Sequence, residues 1–185
     1  VKMMFDDRKE CKLCESEVPG TDRGDREMAK KPSYIGLLNA VANGERGGYE
    51  LFKAWSASTQ DEQLKPTLDM VAIREMEHSW AFEKRLNELG FELRPMINKE
   101  LGKQVRYLKS KANDEEKFAS FGIGVKQNEK PSGGGQDNLL QLLADTTIDP
   151  HTGELMGRFI AEERDTGRQL SKAYKAMQRR NKKKT

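Results

Sequence analysis

Ile73-Arg74-Glu75-Met76-Glu77-His78-Ser79-Trp80 carries a Glu-x-x-His pair, Glu75 and His78, inside a long helical pattern. Val71, Glu75, His78, Phe82, Leu86 and Leu89 recur at 4-3-4-4-3 spacing, which is one face of a helix. A carboxylate and an imidazole therefore take two places on the inward stripe. A lone buried carboxylate is costly, so the pair requires a partner. A metal ion is the sharpest candidate; the plainer one is a buried Glu-His ion pair.

The preceding stretch supplies a second helix. From about Ser33 to Trp55, Ile35, Leu38, Ala42, Glu45, Tyr49 and Phe52 form an apolar stripe in which Glu45 is the exception. Gly44, Gly47 and Gly48 each weaken that helix by roughly 1 kcal/mol relative to alanine. Close approach of a neighbouring helix, or room beside Glu45, would compensate. Ser56 to Thr59 reads as a short turn. Thr59 with Glu62 fits a capping box that opens the next helix near Gln60, with Pro66 delaying its regular part to about Thr67. That helix reaches Leu89 and stops at Gly90. A short turn between two long helices predicts an antiparallel hairpin. Glu45 lies 14 residues before Thr59 and Glu75 lies 16 after it. The hairpin brings them to about the same height, which argues for a shared site.

Downstream, Leu101, Val105, Leu108 and Ala112 share one side of a helical stretch from about Asn98 to Ala112. Asn113 with Glu116 is a second capping box, opening a short helix that ends near Gly122. Residues 124–136, with Gly133-Gly134-Gly135, read as a flexible linker, because no Gly-Lys-Ser/Thr follows to make a phosphate loop. Asn138 to Asp145 reads as a short apolar helix. Asp149-Pro150 caps a last long helix to about Met177, with Met156, Phe159, Ile160, Glu163, Leu170 and Tyr174 inward and Glu162 beside Glu163.

Residues 1–31 are charged, broken by Pro19, Gly20 and Gly24, and read as an extended N-terminal arm. The arm holds both cysteines, Cys11 and Cys14. A zinc or rubredoxin-type site wants four ligands, and the second pair is missing. Reduced thiols in a reducing compartment, cytoplasmic or inside an organelle, are the plainer reading. Residues 179–185 form a basic C-terminal tail, Arg179-Arg180-Asn181-Lys182-Lys183-Lys184-Thr185, read as a solvated, frayed end. The chain has 185 residues, 34% of them charged, and a net charge of +3. That small net charge does not argue for nucleic acid, which is not expected as a partner. No stretch approaches the ~20 apolar residues of a membrane helix, and no secretory leader is visible. The domain reading is an arm over 1–31, an all-α bundle over 32–178 and the tail over 179–185.

Tyr34 to Leu89, with an inward Glu in its first helix and Arg-Glu-Met-Glu-His in its second, resembles the ferritin-like superfamily, in particular its rubrerythrin-like members. Di-iron and di-manganese carboxylate proteins of this kind take a Glu from each of two helices and a Glu-x-x-His from each of the other two. The resemblance implies a ferritin-like helical bundle with Glu45, Glu75 and His78 as metal ligands. Glu163 joins them as the glutamate nearest the last apolar stripe. The third-helix ligand is open between Glu115, Glu116 and Asp145. The second Glu-x-x-His is absent: Glu162 is followed at i+3 by Asp165, and Glu163 by Thr166. The implied cofactor is iron, one or two ions, with manganese or zinc as alternatives. The implied chemistry is a non-haem iron oxidoreductase acting on oxygen or peroxide, with electrons from outside. The competing expectation is a non-enzymatic scaffold or assembly subunit with a degenerate metal site. It would dock into a larger complex through the arm and the tail, or pair as a homodimer.

Overall fold

The computed structural model describes residues 32–124 and 147–183. The expected arm with Cys11 and Cys14, nearly all of the glycine linker, the short helix at Asn138–Asp145 and the last two residues of the tail lie outside them. Among the described residues the chain is all-α, with no strand. Its helices are α1 (Ile35–Ser58), α2 (Lys65–Glu88), α3 (Leu101–Lys109), α4 (Asp114–Ser120) and α5 (Pro150–Lys182). Among the described residues no helix is long and apolar enough to cross a membrane.

The two halves of the hairpin run antiparallel. Ser56 Oγ donates to Asp69 near the turn, Ser79 Oγ to the Ala42 carbonyl at mid-height, and Arg46 pairs with Glu83 further on. α5 lies antiparallel to α2: Arg85 donates to Thr152, His78 meets Glu162, and Arg74 donates to Thr166.

Several boundaries differ from the sequence expectation. α1 runs on to Ser58, because the Thr59 N–H and the Ser58 hydroxyl both satisfy the Trp55 carbonyl. Thr59 makes no capping box with Glu62. Its hydroxyl accepts from Asp61 N–H and donates to Asp114, and α2 starts only at Lys65. Pro66 lacks the N–H a helix interior needs and so sits in the first turn. Gly90 ends the hairpin at φ +80°, a conformation glycine adopts without steric cost. The third helical stretch is shorter than Asn98–Ala112. It breaks before the Asn113–Glu116 capping box, which forms as expected. Only Leu108 of α3 is buried. Ahead of it, residues 94–96 run extended along α1. Asn39 and Asn43 side chains bond to Arg94 and Met96 main-chain groups there, replacing a helical ladder with side-chain amides. The last helix outruns its expected end at Met177 and continues through Lys182, where Arg180 is ion-paired with Asp61. The first residues of the basic tail are therefore helical rather than frayed.

Two apolar clusters fill the bundle. One joins Leu38, Ala42, Phe82, Leu86, Met156 and Phe159. The other is built on Trp55, which is fully buried, lies edge-on to Phe118 at 4.7 Å and stacks on Phe121 at 5.6 Å. Such aromatic pairs contribute about 0.5–1.5 kcal/mol each beyond area burial. The Trp55 indole N–H donates to Asp114 at 2.7 Å, which fixes α4 over the end of α1.

Asp149 knots three helices together. It caps α5 through Thr152 N–H, and it accepts from Tyr34 at 2.8 Å and from Arg85 at 2.7 Å. Burial pushes its carboxyl up, but bonds from Thr152, Tyr34 and Arg85 win and hold it well below the usual range. Asp149→Ala is expected to destabilise the fold by about 2–3 kcal/mol in urea unfolding, the loss of a cap plus buried hydrogen bonds. Because the folded pKa is depressed, this stability is present above the ordinary carboxylate value of 3.8. It is lost as pH falls further, so the difference between wild type and variant should shrink in acid.

Candidate metal centre

Between the two apolar clusters lies a polar layer contributed by α1, α2 and α5. α1 supplies Glu45, α2 supplies Glu75 and His78, and α5 supplies Glu162 and Glu163. The equal height expected of the hairpin is met: His78 Nδ1 lies 3.1 Å from Glu45 Oε2. The same nitrogen is 3.6 Å from Glu163 Oε1, and Nε2 is 2.7 Å from Glu162 Oε2. Phe159 stands edge-on to the imidazole at 5.0 Å and closes one side.

Of the four residues expected as ligands, three converge. Glu45, His78 and Glu163 offer ligand atoms all within 4.8 Å of one another. Glu75 lies beside this group. It is 7% exposed, shares a hydrogen bond with Glu45, and rests its carboxylate against Gly48. A Cβ at Gly48 would lie 2.1 Å from Glu75 Oε2, so any larger residue there would force the Glu75 carboxylate out of its place. The room at Gly48 therefore serves Glu75 rather than Glu45, while Gly47 faces Leu101 of α3 and Gly44 open space. The third-helix candidates are elsewhere. Glu115 bonds to Tyr174 and Gln178, about 16 Å along α5 from Glu163, and Glu116 closes the capping box of α4. Asp145 lies outside the described residues.

Glu162 is the functional neighbour that sequence reasoning left aside. It sits at the edge of the α5 stripe, and Arg158, one turn earlier, donates to it at 2.8 Å. That i, i+4 pair was the available signal.

The electrostatics follow from crowding four carboxylates around one imidazole, with Glu75 buried and Glu45, Glu162 and Glu163 partly so. Burial, then the charges of Glu45 and Glu163, push Glu75 up to about 9. Burial and Glu45 push Glu163 up to about 7. Burial alone would lower His78, but bonds to Glu45 and Glu162 outweigh it and raise its pKa. Burial would raise Glu162, yet the bonds from Arg158 and His78 lower it. Arg74 offsets part of the negative charge. Its guanidinium donates to the Glu162 carbonyl, to Asp165 and to Thr166.

The residues fit a metal ion on two observations. Glu163 Oε1 is buried and has no hydrogen-bond partner. It faces the His78 imidazole nitrogen at 3.6 Å and a second carboxylate within 4.8 Å; an ion about 2.1 Å from each donor would draw neighbouring donors in to roughly 3.0–3.4 Å. With Nε2–H donated to Glu162, Nδ1 would be left to coordinate, and Glu162 would hold the ring's tautomer and orientation. A mixed nitrogen and carboxylate set suits iron, manganese or zinc.

Gly48→Ala normally gains about 1 kcal/mol in a helix. Here it is expected to destabilise, and to become stabilising in a Glu75→Ala background, as a thermal double-mutant cycle would read. In metal-free protein, Glu75 has a folded pKa above its unfolded 4.5. Its contribution is complete below 4.5 and is lost as pH rises through about 9. Stability of wild type should therefore fall over that window relative to Glu75→Gln.

No protein family, curated protein or solved structure was found to match this chain.

Proposed function

We propose that this chain is a metal-binding, ferritin-like helical protein whose centre holds a single ion, iron foremost, with manganese or zinc as alternatives. The observation that carries the reading is the buried, unpartnered Glu163 Oε1 facing His78 Nδ1 and Glu45. An unsatisfied buried acceptor costs about 1–3 kcal/mol, and more when charged. A cation at that point removes the cost.

One ion rather than two is supported by Arg74. A two-metal site needs a second Glu-x-x-His on the last helix. The positions three residues after Glu162 and Glu163 are Asp165 and Thr166, and both accept from the Arg74 guanidinium. A fixed cation thus stands in the half of the site where a second ion would be held. Glu45, His78 and Glu163 would hold the metal, and Glu162 with Arg158 would orient the imidazole. Glu75, protonated near neutral pH, would add no charge. Bound iron supplies oxygen or peroxide reduction chemistry, with electrons delivered by an external donor. Next to the centre, a groove of about 270 Å³ reaches His78 and Glu162 between Trp80, Ala81, Leu155 and Phe159.

A second reading, an assembly subunit with a degenerate centre, is favoured by one observation. Ile73 and Trp80 lie seven residues apart on one side of α2, and each is 59% exposed. Large apolar side chains placed so are suited to a protein partner.

Metal analysis of natively purified protein, and of protein reconstituted anaerobically with iron(II), separates the two. The first reading expects one ion per chain, with binding at least tenfold weaker in Glu163→Gln, a variant that keeps shape and helix. It also expects the melting temperature to rise with metal concentration, by the equivalent of about 2.7 kcal/mol at a hundredfold excess over Kd. Absence of bound metal and of any thermal shift would sink the first reading. The assembly reading then expects a native complex larger than the monomer that is lost in Trp80→Ser.

A further inference from the structure

The near-neutral total charge hides a strong asymmetry. Of the chain's 33 Lys and Arg and 30 acids, nine and one lie in residues 164–185, and the rest of the chain is net −5. In the structure this basic segment is a face. Arg164, Arg168, Lys172, Lys175, Arg179 and Lys182 recur at 4-4-3-4-3 spacing on α5, and all six are exposed. They form a straight row about 27 Å long with about 4.5–6 Å between successive charges. Among the ion pairs of the described residues, only Arg168 of the six is engaged, with Asp165. An open groove of about 740 Å³ runs beside the row past Gly167 and Ser171. Gly167 offers open space there.

We propose that this face of α5 binds duplex DNA through its phosphate backbone, independently of sequence. A rigid row of evenly spaced cations complements a stiff, regularly charged polyanion, and duplex DNA is straight over about 150 base pairs. Three other anionic partners fit less well. A helix that settles on a membrane buries an apolar face in it. Among the described residues the exposed large apolar ones are Ile73, Trp80, Met96, Ile97 and Tyr107, none of them on α5. Single-stranded nucleic acid is held by exposed aromatic side chains on which bases stack, and the row has none. An acidic protein would not need regular spacing over this length. The row supplies charge and one hydroxyl, so it anchors phosphates without reading bases.

The test is fluorescence anisotropy of the full chain on a duplex of about 30 base pairs, at salt from about 50 to 200 mM. Neutralising about five phosphates predicts a log–log salt slope of about −4 to −5. The variant Lys172→Gln/Lys175→Gln/Arg179→Gln should flatten that slope by about 3. A control with the same charge change at exposed positions elsewhere, Lys53→Gln/Lys84→Gln/Lys103→Gln, should leave it unchanged. Circular dichroism verifies that both fold. The proposal is overturned if the duplex does not bind at about 50 mM salt, if the control loses as much as the α5 variant, or if single-stranded DNA or anionic phosphatidylserine vesicles bind more tightly than the duplex.

Discussion

Burying carboxylates inside a helical bundle is the constraint around which this molecule is arranged. Glu45, Glu75, Glu162 and Glu163 meet His78 in a layer sealed above and below by apolar clusters. Each buried charge opposes folding unless it is paired or neutralised. The chain meets the requirement by several routes at once. His78 lies between Glu45 and Glu162, Arg74 places a guanidinium beside the layer, and Glu75 keeps its proton in a notch opened by Gly48. Glu163 alone retains a buried oxygen with nothing to bond. That residual deficit sets the layer apart from a fully satisfied ion-pair network, and it is the observation on which a bound cation is proposed.

Much of this was legible in the sequence because helical periodicity constrains both height and direction. The two inward stripes and the short connection between α1 and α2 were enough to place Glu45 opposite the Glu75–His78 turn. The Asn113 and Asp149 caps were legible because their side chains act on their own backbone. What was hidden depends on contacts between remote segments. The 4-3-4 spacing of Leu101, Val105, Leu108 and Ala112 suggested a longer third helix, yet only Leu108 finds a buried place. Asn39 and Asn43 give the extended run before it an alternative set of bonds. Glu162 was set aside because it sits at the stripe's margin, where a few degrees of helix rotation decide between solvent and His78. The notch at Gly48 was visible as a weak point, but its occupant depends on how closely two helices approach.

The described bundle rests on three long helices, with α3 and α4 packed as short covers. This divides the chain's labour. The α1–α2 hairpin carries Glu45, Glu75 and His78 of the polar layer and can be assembled early, from contacts close in sequence. α5 adds the last acidic pair at one level and presents its cations to solvent along its length. One helix thus serves an inward chemistry and an outward charge, on faces that its periodicity keeps apart.

The knot at Asp149 has a consequence for how this chain can change. Tyr34, Arg85 and Thr152 clamp the first turn of α5 to the ends of α1 and α2. Glu163 then sits fourteen residues, almost four helical turns, beyond a fixed point. Inserting or deleting one residue between the clamp and Glu163 would swing its carboxylate by about 100° around the helix axis and out of the layer. Length variation in the connection between α4 and Asp149 has no such lever, because the clamp resets the register. In evolutionary terms, that connection is free to lengthen or shorten, while the span from Asp149 to Glu163 behaves as a ruler of fixed length.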